Sequence, residues 1–455
     1  MPSLLIRNGL IVTQNPSREL IAGSLYVCEG RIAEIPSART GADQVIDASG
    51  MLVIPGLIQV HVHLCQALFR GLADDMNVVD WLRQRIWPLE QAHDPDSLYA
   101  SARLAIAEML HGGTTSACTM ETVRHTAMAF RAAEEMGFRA TIGNAMMDRR
   151  EAGTEMVGQD TQAAMAESLA LLGRFHDSAG GRLRYAFCPR GTRNITDSLW
   201  RQVVEEARRS QVLIHTHAAE NQAQTELLAR SGGREAEYLQ SMGALGQDLV
   251  IAHGVWLAPE ERALVAQAGA TVAHCPSANL KLASGVALIP EMLDAGINVA
   301  LGADGAACNN NLDMFTEMRH AALIHKPRCG PRAMPAQTVF DMATLHGARA
   351  LGLEREIGSL EAGKRADLVL VRRNTLHTAP SCLADPVAQL VYEHRASDVE
   401  TVLVDGQILI RDGRPTRWNE QEILDDAEKQ IRRLWERAGL AGAGAVAEGT
   451  GRTER

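Results

Sequence analysis

Four short apolar, β-rich runs in this chain each end in side chains of the metal-binding kind, and that pattern narrows the possible folds more than any other feature. The run from Pro55 leads to His61 and His63, the run from Val212 to His215 and His217, the run from Leu249 to His253, and the run from Val299 to Asp304. Such residues at the ends of separate strands are the arrangement of a (β/α) barrel, which keeps its active site where the C-terminal strand ends meet. Side chains alternate with period two along a strand, so His61 and His63 lie on one face and can reach one ion. A third imidazole from another strand and one carboxylate would complete a set suited to Zn2+ or Fe2+. A metal site in a barrel points to hydrolysis. His215 shares a face with His217. Glu220, three residues beyond His217, can lie beside that ligand as the acid/base.

The rest of the chain agrees with a barrel. Between about residues 57 and 355, helical stretches at 96–111, 122–136, 162–175 and 197–210 alternate with short apolar strands. That alternation implies βαβ units and a parallel sheet. The two ends differ: short strands separated by Gly and Asn turns fill residues 1–56, and β character returns near the C-terminus, where 399–404 and 407–411 predict a hairpin across Asp405 and Gly406. The predicted fold class is α/β, a (β/α)8 TIM-like barrel plus a small β-sandwich. The barrel spans 57–360, the sandwich combines 1–56 with 361–418, a charged helix occupies 419–440, and 441–455 is a flexible Gly/Ala-rich tail.

Composition excludes several classes of partner. The 455 residues are 46% hydrophobic, ample for a large core. The balance of 45 basic and 55 acidic residues gives a net charge of −10, unsuited to nucleic acid or an anionic membrane. Eight scattered cysteines with no C-x-x-C pair predict free thiols in a reducing compartment. The N-terminus reads as a strand, not a signal peptide, and no apolar run is long enough to span a membrane, so the expected location is cytoplasmic.

Seven motifs carry a resemblance: Pro55 to His63, Arg70 to Asp75, Asp80-Trp-Leu82, Trp87-Pro-Leu-Glu90, His217-Ala-Ala-Glu220, His274 to Lys281 and Gly302 to Asn310. Through them, and over nearly the whole chain, the sequence resembles the amidohydrolase superfamily. Within it, the chain is similar to the one-metal deaminases that act on 5′-deoxyadenosine, methylthioadenosine and S-adenosylhomocysteine. The resemblance implies one divalent ion, zinc with iron as the alternative, held by His61, His63, His217 and Asp304. A single ion is expected because the fourth barrel strand, 183–190, lacks the lysine that bridges two metals in dinuclear members. His253 would contact the bound water or the substrate. Asp304 would take the water's proton, and Glu220 would protonate the ring nitrogen and then the leaving ammonia.

The same resemblance assigns Trp81 to the pocket wall and Glu90 to the sugar hydroxyls of a purine nucleoside. The chain departs from the homocysteine-conjugate enzymes at Asn144, where they can carry an arginine, and at Arg190, where a histidine is usual. Both residues are candidate substrate contacts. The missing arginine favours a small 5′ group, as in 5′-deoxyadenosine or 5′-methylthioadenosine, although Arg149, Arg150, Arg190 or Arg193 could still meet a carboxylate. Cys65 and Cys308, beside the metal motifs, are expected to be small pocket-lining residues. Asn279 and Lys281 belong either to the pocket or to a plain loop. The alternative readings are an s-triazine hydrolase, a guanine- or pterin-type deaminase, and a non-catalytic barrel, which would be expected to lose ligands or the acid/base. A homo-oligomer is the family expectation.

Overall fold

The computed structural model describes residues 2–149, 158–223, 225–226 and 233–440. The predicted tail at 441–455, like Arg150, lies outside the described residues. The first strands are β1 (Leu4–Val12), β2 (Leu20–Cys28), β3 (Arg31–Glu34), β4 (Gln44–Asp47) and β5 (Met51–Pro55). The chain then enters the parallel strands β6 (Leu57–His63), β7 (Thr114–Glu121), β8 (Arg139–Met146), β9 (Leu183–Pro189), β10 (Leu213–Ala218), β11 (Leu249–His253), β12 (Thr271–His274) and β13 (Asn298–Leu301), followed by the short β14 (Asp304–Gly305). It ends with β15 (Leu368–Arg372), β16 (Val399–Val404), β17 (Gln407–Arg411) and β18 (Arg414–Pro415). The hairpin expected at Asp405 and Gly406 joins β16 to β17.

The two termini share one sheet, in the order β18-β17-β16-β15-β5-β1-β2-β3 with β4 against β1. Its seam is the antiparallel pair of β5 and β15, with Val53 opposite Leu370. Alternation along these strands gives the sheet two apolar faces. Leu52, Ile54, Val369 and Val371 pack into the large core shared with the barrel helices. Val53, Leu368 and Leu370 turn the other way, into a second core with Leu4, Ile6, Leu25 and Ile32.

In the second sheet, β6 to β13 pair in chain order, and β14 pairs with β6. Strands β13 and β14 act as two halves of one eighth strand: the first lies on β12, the second on β6, and the ring closes between them. Gly302 sits at the break. A Cβ there would lie 2.7 Å from the His61 carbonyl oxygen and 3.0 Å from its Cβ, so only glycine lets the eighth strand press against the first.

Helices cover the barrel. One spans Pro95–His111, opened by a capping box at Asp94. Another, Asp197–Ser210, matches the predicted span. The C-terminal helix Glu420–Arg437 buries Ile423, Ala427 and Leu434, and Arg437 donates to the Ala92 carbonyl at 2.8 Å. No described helix is long and apolar enough to cross a membrane. All eight cysteines are free.

Candidate active site

The barrel strands carry their histidines to one end, and each ring is oriented through its Nδ1. His63 Nδ1 donates to the Met120 carbonyl at 2.6 Å, His217 Nδ1 to the Arg190 carbonyl at 2.5 Å and His253 Nδ1 to Asn279 Oδ1 at 2.9 Å. His61 Nδ1 lies 2.8 Å from His215 Nε2. Fixing Nδ1 in this way leaves Nε2 as the outward lone pair, which is how ligating imidazoles are held. Past His63, the chain is pinned by Glu121, whose carboxylate accepts the Leu64 and Cys65 N–H groups at 3.2 and 2.8 Å.

The free nitrogens converge. His61 Nε2 and His63 Nε2 each lie 3.3 Å from Asp304 Oδ1, and His217 Nε2 lies 3.4 Å from His63 Nε2. Four donors held tetrahedrally around a zinc ion at its usual Zn–N distance are roughly 3.3 Å apart. His61 Nε2 is fully buried with no hydrogen-bond partner, a costly state that an ion would relieve. The donor set therefore fits a divalent ion. His253 stands slightly apart, its Nε2 3.8 Å from the other Asp304 oxygen, Oδ2.

Burial and neighbouring charge tune these groups. Burial pushes the His61 and His217 imidazoles well below their ordinary range, so both are neutral. Burial would raise the Asp304 carboxyl, but the adjacent His61 and His63 hold it well below the usual carboxylate range. Glu220 is moved the other way: burial raises its carboxyl, leaving it closer to a proton-carrying state. Strand ends at the site take left-handed backbone, with φ of +52° at Ala219, +74° at His253 and +62° at Asp304. Non-glycine residues adopt that conformation at a cost, and it clusters at functional sites.

A cavity of about 330 Å3 opens over this cluster, lined by His63, His217, His253, Asp304 and Glu220 and by Gln66, Trp81, Trp87 and Arg190. The sequence-predicted residues His61, His63, His217, His253, Asp304 and Glu220 thus come together, and Trp81 and Arg190 are on the cavity wall. Trp81 belongs to a helical segment with a π turn at Leu82–Ile86, a distortion common near functional sites.

Three predicted substrate contacts are placed differently. Asn144 accepts hydrogen bonds from Ser168 and Tyr185 at 3.2 and 2.9 Å, on the helix side of β8 with Ile142 and Met146, because its neighbours Gly143 and Ala145 take the inward positions. Cys308 is packed with Leu68, Phe69 and Ile86, its thiol 3.1 Å from the Gly305 carbonyl, and does not line the cavity. Glu90 stands behind the wall instead of on it. Its oxygens accept from Arg190 Nη1 at 2.5 Å, Arg190 Nη2 at 3.2 Å and Gln66 Nε2 at 3.0 Å. Arg190 outweighs the effect of burial and holds the Glu90 carboxyl below its ordinary value.

Several participants carry no local signal. Met120 and Arg190 act through their carbonyls, and Asn279 orients His253, so that residue is neither plain loop nor pocket wall. Lys281 instead pairs with Asp74 at 2.5 Å. His215, ambiguous by alternation alone, backs His61 from inside the barrel.

Fold and site together define a metal-dependent barrel hydrolase. Residues 52–409 match the amidohydrolase family, and the chain belongs to it. It is 40% identical over 411 residues to the 5′-deoxyadenosine deaminase of Methanothermobacter thermautotrophicus, covering 89% of this chain and 93% of that one. It is also 40% identical over 393 residues to the 5-methylthioadenosine/S-adenosylhomocysteine deaminase of Moorella thermoacetica, covering 86% and 89%. Among solved structures it is similar to an adenosine deaminase from Xanthomonas campestris with bound zinc, with TM-score 0.89 and 31% identity over 95% of this chain and 98% of that one.

Proposed function

We propose that this chain is a metal-dependent hydrolytic deaminase of adenine nucleosides, with 5′-deoxyadenosine or 5′-methylthioadenosine as the preferred substrate. The observation that carries this reading is the close approach of the His61, His63, His217 and Asp304 donor atoms to one another beside a cavity that Glu220 also lines. Those four residues would hold the ion, which is divalent and most simply zinc. When bound, it would lower the pKa of water and polarise the reacting centre.

The remaining steps belong to the side chains. The Asp304 carboxylate, at the centre of the cluster, is the acceptor for the proton that the attacking water loses. Glu220, with its raised affinity for a proton, delivers one to the ring nitrogen beside the attacked carbon and then assists departure of the amine as ammonia. His253 Nε2, whose lone pair faces the site beside Asp304 Oδ2, can accept a hydrogen bond from the attacking water. Arg190, held by Glu90, which Gln66 fixes in turn, presents its remaining donors along the cavity to the sugar or ring acceptors of the nucleoside. Trp81 and Trp87 supply apolar wall for the base.

Ammonia release from a panel of 5′-deoxyadenosine, 5′-methylthioadenosine, adenosine, S-adenosylhomocysteine, guanine and a chloro-s-triazine tests the reading. Preference for the 5′-modified adenosines is expected. Turnover of guanine or the triazine with no nucleoside consumed would overturn the substrate assignment.

A further inference from the structure

Glu235 is 4% exposed and opens the short helix Glu235–Ser241, beyond the end of β10. Its carboxyl faces the same cavity as Glu220. Oε2 accepts the backbone N–H of Ala219, the residue between the turn's ligand side and Glu220. Ala219 has φ of +52°, a conformation that an L residue keeps only when its surroundings over-determine it. Those surroundings can be named. The Ala218 carbonyl accepts the Gly254 N–H at 3.1 Å, and the Ala219 carbonyl accepts the Trp256 N–H at 2.9 Å. Both bonds hold carbonyls to the next strand's loop, so Glu235 is what holds the Ala219 N–H. Behind it, Glu261 accepts the Ala236 and Ala258 N–H groups at 3.0 and 2.9 Å and fixes the start of the helix that carries Glu235.

We propose that Glu235 is a positioning residue for Glu220: it clamps the Ala219 N–H and so holds the left-handed turn that aims the Glu220 carboxyl at the metal cluster. The proposal rests on the proton-transfer role assigned to Glu220. Burial beside Glu261 and Glu220 pushes the Glu235 carboxyl up to about 8, so near neutral pH it accepts this bond as a neutral acid and adds no charge next to Glu220. The side chain does this from 16 residues away in sequence, and no motif marks it.

The test compares Glu235→Met, Glu235→Asp and Glu235→Gln in the metal-loaded full chain, with Glu220→Gln as reference. Steady-state kinetics, bound metal per chain and melting temperature are measured for each. Met has similar length but cannot accept the bond, and Asp keeps the acid but is one carbon short. Both are expected to lose kcat by about 10- to 100-fold, the cost of a misplaced catalytic group, with KM changed by less than about threefold and bound metal unchanged. Gln retains an acceptor oxygen and should restore kcat to within about threefold of the parent. Parental kcat in both Met and Asp variants overturns the inference, as does a fall in kcat that follows lost metal or a lowered melting temperature and that Gln does not restore. Full activity in Glu220→Gln would instead remove the role on which the inference rests.

Discussion

At the N-terminal end of the barrel strands, Arg139 of β8 is enclosed with two carboxylates. It donates from Nε and Nη2 to Asp367 at 2.7 and 3.1 Å and from Nη2 to Asp405 at 2.6 Å, while the Asp405 N–H donates to Asp367 at 2.8 Å. At the C-terminal end, the buried polar groups are not saturated by the protein: His61 Nε2 has no partner, burial raises Glu220, and Ala219, His253 and Asp304 hold left-handed backbone. Both ends bury charge. One saturates it within the protein and ties barrel to terminal sheet, since Asp367 precedes β15 and Asp405 lies in the β16–β17 turn. The other aims it at a common point. The first arrangement contributes fold integrity, and the second holds unsatisfied groups ready for a ligand, the division expected between the two faces of a barrel.

The contrast can be broken at either end, and the largest effect belongs to the site. Asp304→Ala, or exhaustive chelation of the parent protein, should lower turnover on the order of a thousandfold or more. Metal analysis should find the ion gone, and readdition of Zn2+ should restore only the chelated parent. The structure of the terminal sheet should survive, because none of its contacts passes through the cluster. Retained turnover in Asp304→Ala would end the reading of this carboxylate.

At the opposite end, Arg139→Leu removes the ion-pair partner of buried Asp367 and leaves Asp405 with the longer pairs to Arg365 and Arg182, at 3.4 and 3.7 Å. Loss of one partner from such a pair costs about 3–5 kcal/mol. Denaturant unfolding should report that loss, while kcat per folded molecule stays at the parental value. An Arg139→Leu variant that is stable but catalytically slow would show that the two ends are coupled.

The smallest effect concerns a third carboxyl, Glu317. It is fully buried, bonded to the Ser277 N–H at 3.2 Å and Asn309 Nδ2 at 2.9 Å, and burial raises it from 4.5 to about 7. With the folded value above the unfolded one, its contribution to stability is complete below pH 4.5 and is lost as pH rises through about 7. Melting temperatures across pH 5 to 8 should therefore fall less steeply in Glu317→Gln than in the parent. An unchanged slope would mean that Glu317 ionises normally in the fold.

Much of the site was legible in the sequence because it obeys local periodicity. His61 and His63 share a face by strand alternation, and His217, His253 and Asp304 each end a β-rich run, so the pool of candidate donors follows from spacing and element type, while the choice of His217 over His253 as a ligand came from the family resemblance. The same periodicity argues against Asn144, which shares the outward face of Ile142 and Met146. Glu90 was legible as a residue of this region but not in its action, because its partner Arg190 is 100 positions away. Glu235 left no trace at all, since a helix-opening glutamate is ordinary until the fold brings it to Ala219.

The sequence by itself determined the element types, the joining of its two ends as β-structure beside a barrel, and the identity of the residues that could bind metal. These follow from short-range rules: side-chain alternation, turn chemistry and the donor preferences of ions. Tertiary structure alone decided which nitrogen each imidazole presents, that the eighth strand closes the ring in two halves around Gly302, and that Arg190 rather than Glu90 faces the cavity. Those outcomes depend on hydrogen bonds and close approaches between residues far apart in the chain, and no local pattern encodes a distance that only folding creates.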